Sequence, residues 1–538
     1  WHRNEVVIIE SVVENPSPGV GAAVILKNPA SYQHIANSGY QGEVGLLSRQ
    51  IIVQGNEASE PTDSDPHNCI SNRTFWGDNR QPCTNTELTG FGGHIIILGG
   101  GKGFVEGVEL YRMGQTNVLG RYPMHFHILE DGCSDCYFRD SSVHRSFYRC
   151  VSIHGTHNIQ ILENVAYDVT GFCYYMESGV ERNNRIEFNL GAHIHMLGPG
   201  PPWGNGQKIH SFTQNNNLTL PADVSASAFY ITNVHNYIIG NAASGGWSGF
   251  AFPVLQEAIG PYRGAKLRPP LSETSLVIDG NTAHSTSWWW KHSAGFYFGG
   301  TLFYNEDDVL EYNAGRDLKR PKRAPCLVDK CETGHKNNCR EYCQPHEQAW
   351  LKMTNTKAFL VAGVGLNSWN GRTEVIGYEC HDCGLFLQAL STDGFWGHNM
   401  LGVCRSKTPL MLPENTKAYN IPGNGFRWYD TGQEHILTNI TFRNCGYRSD
   451  EYDQYNKDPE RGCGDEDDIG CEKRSSVWSF VTHSDQHIPE IMQATKGISF
   501  NNCGRYFYYH DFRRNPAWSS NSGRSQNWYD TDGSITGL

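Results

Sequence analysis

Amphipathic helical periodicity is almost absent from this chain of 538 residues, which excludes a helical bundle as its organising principle. No apolar run approaches the roughly 18 residues needed to span a bilayer. The first residues, WHRNEVVII, lack the apolar region of a signal peptide, and the chain starts as if cut from a longer precursor. Basic charge is also scarce: 44 Lys and Arg against 56 Asp and Glu leave a net charge of −12, which excludes a general nucleic-acid partner. Two-residue hairpin signals such as Asn-Gly are few. What is abundant instead is glycine, 58 residues, with 12% aromatics and only 19% charged residues. That balance predicts many short strands joined by tight turns.

The strands recur in a pattern. An Asn followed by small residues precedes a Gly-aromatic strand in ENVAYDVTGFCYYME (163–177), GNAASGGWSGFAF (240–252), GNTAHSTSWWWKHSAGFYF (280–298) and ENTKAYNIPGNGFRWYD (414–430). Short apolar strands lie just upstream, as in NIQIL, NYIIG and SLVIDG. Strands that recur without helices or hairpins fit an all-β fold, a right-handed parallel β-helix (solenoid) with disulfide-stapled inserted loops. Each coil would stack on the last at about 4.8 Å, with turn asparagines forming hydrogen-bonded ladders. A β-sandwich array and a propeller are the alternatives; a propeller calls for antiparallel blades at steadier spacing. The expected organisation is a β-rich segment over 1–92 leading into a solenoid over 93–512, with insertions at about 305–348 and 449–474. An irregular tail would occupy 513–538.

Seventeen cysteines, several closely spaced, and three N-x-S/T sequons at Asn72, Asn217 and Asn439 point to an extracellular or cell-surface glycoprotein with disulfides. A zinc module at Cys326, Cys331, Cys339 and Cys343 is the rival reading, but the spacings match no paired CxxC arrangement. The odd count leaves at least one cysteine free or paired outside the chain.

Two short stretches carry the chemistry. GRYPMHFHI (120–128) and GAHIHM (191–196) each place two histidines two residues apart on an apolar-backed strand. Alternation along a strand puts His125 and His127 on one face, and likewise His193 and His195. CVSIHG adds Ser152 and His154, and GFCYYMES adds Cys173, Tyr175 and Glu177. Stacked in chain order these form one polar strip: His125/His127, Ser152/His154, Tyr175/Glu177, then His193/His195. The strip could be a metal site, since imidazoles suit Zn or Cu and i, i+2 pairs can chelate. It could equally be an acid–base site, or a water-bridged polar face. For metal, the compact sets are His125, His127 and His154, or His193 and His195 with Glu177. Trp203, Trp288 and Trp290 could stack on sugar rings, and Arg320 in the basic run 316–323 could contact an acidic polymer.

GEVGLLSRQIIVQG (42–55), GVELYRMGQTNVLGRYPMHFHI (107–128) and SVHRSFYRCVSIHGTHNIQILENVAYD (142–168) resemble the cell-surface hyaluronidase and fibrocystin-L family. The resemblance covers roughly residues 1–200, and the later coils match in style only. It implies an extracellular parallel β-helix preceded in the family by a glycine-rich "G-eight" domain that would lie upstream of Trp1. It also implies two branches, one that cleaves acidic glycosaminoglycan and one that is structural or receptor-like.

The expected function is therefore an extracellular glycan-binding and glycan-cleaving protein. Its partner would be an acidic polysaccharide or other surface glycan, and its cofactor a divalent transition metal, Zn or Cu. Glu177 would donate a proton, assisted by His154, and an elimination route would use a histidine or Tyr175 as base. The alternative is a non-enzymatic coat, hair or matrix fibre that self-assembles through exposed solenoid edges.

Overall fold

The computed structural model describes residues 4–17, 21–60, 90–195 and, with short gaps, 219–313 and 350–404. It also describes 424–428, 435–445, 478–480, 493–503, 508–509 and 528–537. Two compact units are present, residues 1–44 and 45–538. In the first, Ile9–Glu14 pairs antiparallel with Ala22–Leu26, and Glu5 accepts hydrogen bonds from the Ser31 and Tyr32 amides and pairs with His34.

The second unit is a parallel β-helix. Each full coil contributes three strands. One coil runs Tyr137–Arg139, Ser142–Ser146, Val151–Thr156, and the next runs Gln160–Leu162, Val165–Thr170, Tyr174–Met176. Each strand pairs in parallel with its counterpart one coil away. The third strands alone build one continuous sheet from Ile95–Ile97 to Tyr508–Tyr509. The stacking starts upstream of residue 93, because Ile51–Gln54 pairs in parallel with Val108–Tyr111. It also extends into the expected tail, where Trp528–Asp530 joins Gln493–Asn501. At the 305–348 insertion, Ala294–Tyr304 outruns its coil and pairs antiparallel with Leu310–Asn313. Among the described residues no α-helix occurs, and none is long and apolar enough to cross a membrane.

Repetition of residue type along the stack holds the coils in register. Tyr174, Phe229, Phe250 and Phe296 face inward at equivalent positions, with ring centroids 4.8, 4.6 and 5.0 Å apart and nearly parallel planes. Such offset stacks add about 0.5–1.5 kcal/mol per pair beyond burial. At the turn between first and second strands stands the expected ladder. The side-chain oxygen of Asn189 accepts from the amide and side chain of Asn164, Asn241 does the same for Asn189, and Asn281 for Asn241, at 2.9–3.1 Å. All four are buried, so the ladder satisfies turn groups that water cannot reach.

Among the described residues, the disulfides Cys150–Cys173 and Cys404–Cys445 link successive coils, while Cys133–Cys136 and Cys380–Cys383 close turns. Cys173, expected on the polar strip, is therefore a core half-cystine. Cys503 is free. The cysteines at 326–343 lie outside the described residues.

Candidate functional site

The third-strand sheet delivers the first three rungs of the polar strip in the expected register. His125 stands opposite Ser152 and His127 opposite His154. Ser152 in turn stands opposite Tyr175, and the Glu177 amide continues the ladder by donating to the Ile153 carbonyl. The fourth rung differs. Tyr175 is followed by Tyr230, whereas His193 and His195 lie on Leu190–His195, the second strand of the next coil, paired with Val165–Thr170. Alternation fixes which side of a strand a residue occupies, not which of the three faces the strand belongs to. The third strand of that coil comes only at Ser227–Tyr230, after a long excursion. The single five-histidine groove is thus two separate groups.

In the first group, the ligating atoms of His125, His127 and His154 lie within 4.8 Å of one another. The His125 and His154 rings are parallel, with His127 edge-on to both at about 5 Å. His125 Nδ1 donates to the Gly120 carbonyl at 3.2 Å, which leaves Nε2 as the lone-pair nitrogen. That nitrogen and His154 Nε2 are buried without a hydrogen-bond partner among the described residues, as are Ser152 Oγ, Tyr175 Oη and Glu177 Oε2. Burial holds both imidazoles neutral, pushing His125 down to about 3 and His154 to about 4. Glu177 Oε2 lies 3.6 Å from His154 Nδ1, and burial raises this carboxyl despite the pull of Arg149 and His127. Glu177 and His127 keep partial exposure, so the group meets solvent on that side.

Three residues absent from the expected strip shape this pocket. Arg149 is wholly buried, paired with Asp223 at 3.0 Å, its guanidinium 3.9 Å from the Tyr175 ring centroid. Glu181 accepts from the Gly155, Ser178 and Gly179 amides and so fixes the turn after Glu177. Tyr262 reaches over from a distant loop, its hydroxyl donating to the Gly155 carbonyl at 3.4 Å. Gly155 has a left-handed backbone, φ +51°, and any Cβ there would strike the Tyr262 ring. Only Arg149 gave a sequence signal, a charge inside the apolar run SFYRCVSIHG. Tyr175 is sealed against Phe172, Tyr230 and Arg149, and burial raises its phenol.

The second group is Asp168, His193 and His195, again within 4.8 Å. Asp168 takes the place expected for Glu177. His195 Nε2 lies 2.7 Å from Asp168 Oδ1. Burial works against ionisation of Asp168, but the hydrogen bond and charge of His195 win and hold it at about 2.

Of the remaining candidates, Trp203, Trp288, Trp290, Arg320, Asn72 and Asn217 lie outside the described residues. Asn439 is exposed, with a left-handed backbone inside the strand His435–Arg443, its side-chain amide donating to Asn399 at 3.2 Å.

Residues 90–289 match the family model described as the CEMIP beta-helix, which contains both groups. The chain is 34% identical over 541 residues, all of its length, to Protein rliB of Dictyostelium discoideum, and 36% identical over 99% of its length to Communication mutant protein F of the same organism. It spans 41% of each of those proteins. Fibrocystin-L of Mus musculus is 30% identical over 297 residues, half of this chain and 6% of that one. Among solved structures, the catalytic domain of a GH87 α-1,3-glucanase superposes with a TM-score of 0.32 at 9% identity over 82% of this chain and 63% of that one, too loosely to bear on function.

Proposed function

The chain belongs to the CEMIP-type β-helix family that includes the G8-domain-containing proteins and fibrocystin-L, and we propose that it is an extracellular, hyaluronidase-like protein that binds and cleaves an acidic glycan at the His125, His127, His154 and Glu177 pocket. One observation carries this reading: converging buried histidine nitrogens beside a Glu177 oxygen, with no hydrogen-bond partner for these atoms among the described residues, an arrangement that costs stability unless something binds there. Three imidazoles suit zinc or copper, and the Gly120 carbonyl on the far nitrogen of His125 is the support a ligating histidine needs. Bound there, a divalent cation would supply Lewis-acid polarisation of a substrate oxygen.

Proton transfer falls to Glu177, because the oxygens of the neighbouring Glu181 are already committed to backbone amides. A single available carboxyl in this pocket, among the described residues, departs from the two-carboxylate arrangement of most glycoside hydrolases. It suits elimination beside a uronate better. There Glu177 takes the proton from the C–H beside the uronate carboxylate, the electrons of that bond form a C=C bond, the glycosidic C–O bond breaks, and the same carboxyl returns the proton to the leaving oxygen.

The test is size analysis of hyaluronan and other acidic polysaccharides after incubation with the protein, with and without added Zn²⁺ or Cu²⁺ and after chelation. Shortened chains carrying the ultraviolet absorbance of an unsaturated uronate are expected. No shortening of any polymer under any of these conditions sinks the enzymatic reading.

A non-enzymatic, self-assembling role has one observation in its favour. At the first coils Ile51, Leu98, Phe91 and Phe104 are 50–68% exposed, an apolar edge of the kind that docks onto neighbours. Concentration-dependent growth in light scattering, abolished by Ile51→Lys with Phe104→Lys, would support it.

A further inference from the structure

Asp168, His193 and His195 stand apart from the pocket, on the second-strand face of the solenoid, and no step of the proposed cleavage uses them. We propose that they form a second, independent site for a divalent first-row transition cation. Donor chemistry selects the ligand class: two imidazoles and one carboxylate suit Zn²⁺, Co²⁺ or Ni²⁺ and do not suit Ca²⁺, which takes six to eight oxygens.

Backbone geometry supplies the convergence. Asp168 and His193 occupy equivalent positions on adjacent coils, between the pairs Tyr167↔Ala192 and Val169↔Ile194, and both have left-handed backbones, φ +57° and +55°. Arg145 holds the same position one coil earlier with φ +53°, so the kink belongs to the coil architecture. What is particular to these two coils is the residue type placed on it. A kink of this kind re-aims side chains. Here it turns Asp168 and His193 toward His195, two residues further along the strand.

The arrangement is held rather than loose. The Tyr167 ring stacks on His193 at 5.6 Å with planes 24° apart, His193 meets His195 edge-to-face at 4.2 Å, and the Gly171 amide donates to the His195 carbonyl at 2.8 Å. With metal–ligand bonds of about 2.0–2.2 Å, donors around one ion sit about 3–3.5 Å apart, so small side-chain rotations suffice. Asp168 is partly exposed, which leaves a path for the ion and open coordination positions.

Co²⁺ titration followed by visible absorption and calorimetry tests this, with the His127→Ala/His154→Ala protein as background so that the first group cannot contribute. One equivalent of Co²⁺ should bind. Adding His195→Ala should abolish binding, and adding Asp168→Asn, which tolerates the left-handed backbone, should weaken it about tenfold or more. Should the background fail to fold, Asp168→Asn in the otherwise unchanged chain should lower the Co²⁺ stoichiometry by one or weaken one class of sites to the same extent. A folded background that binds no Co²⁺, or an Asp168→Asn change that leaves stoichiometry and affinity intact, reduces the group to a His195–Asp168 hydrogen bond and overturns the proposal. Failure of the cleavage assay leaves this outcome untouched.

Discussion

His125-Phe126-His127 and His193-Ile194-His195 have the same spacing and the same apolar backing, and the solenoid gives them different surroundings. The first pair lies on the third-strand sheet beside a buried arginine and a tyrosine cluster, where burial holds the His125 ring neutral and leaves its Nε2 without a hydrogen-bond partner among the described residues. The second lies on a kinked strand against a carboxylate that stays ionised. One environment withholds partners from imidazoles, the other supplies one. The pattern of residues along a strand decides that two histidines share a face. What that face does is decided by the neighbouring coils.

The largest expected effect breaks the comparison outright. Glu177→Gln should lower polymer cleavage at least about 100-fold, the lower end of what a positioned proton-transfer group contributes. Asp168→Asn should leave cleavage within about twofold, because it touches only the second group. Rate measurements on one hyaluronan preparation check both, and an equal loss in the two variants would show that the groups are one functional unit.

Stability should separate the arginines next. Arg149→Met leaves Asp223 buried without its countercharge, and breaking such a pair from one side costs about 3–5 kcal/mol. Denaturant midpoints would report it. The loss should spread to the pocket, since Arg149 also packs on Tyr122, Tyr148 and Tyr175.

The repeating parts of this molecule were legible in its sequence, because each is local. The turn asparagines and the order His125/His127, Ser152/His154, Tyr175/Glu177 follow from alternation and the recurring Asn-turn pattern, although the ladder asparagines stand 25, 52 and 40 residues apart. Contacts made across insertions were not legible. Asp223 is 74 residues from Arg149, Tyr262 is 107 from Gly155, and Leu190–His195 belongs to a different face from the one its parity suggested. Asp168 was hidden for another reason: a lone carboxylate in AYDVT looks like an ordinary exposed strand residue until the coil above places two histidines over it.

A smaller effect should distinguish how firmly each group is held. Asn189 sits immediately before Leu190–His195 and links Asn164 to Asn241. Asn189→Ala strands the Asn164 amide and the Ile161 carbonyl in the core, costing about 1–3 kcal/mol per unsatisfied group. Hydrogen exchange should rise around 185–195 and stay low over 151–156, whose coil is pinned by the Cys150–Cys173 bridge. Equal rises in both segments would mean that the coils open together.

The smallest effect belongs to Arg145, the counterpart of Arg149 four residues away. It pairs with Glu60 at 2.8 Å, but its side chain is 51% exposed, so solvent screens the pair and holding two long side chains together consumes much of the gain. Arg145→Met should therefore shift stability by about 0–1 kcal/mol, against several for Arg149→Met. Its influence should appear elsewhere. Arg145 is one of the charges that hold Asp168 down, so removing it takes a competing cation from beside the second group. Co²⁺ affinity there should rise slightly while melting stays unchanged. A loss of stability as large as that of Arg149→Met would instead make the kinked column a structural strut and the two faces alike.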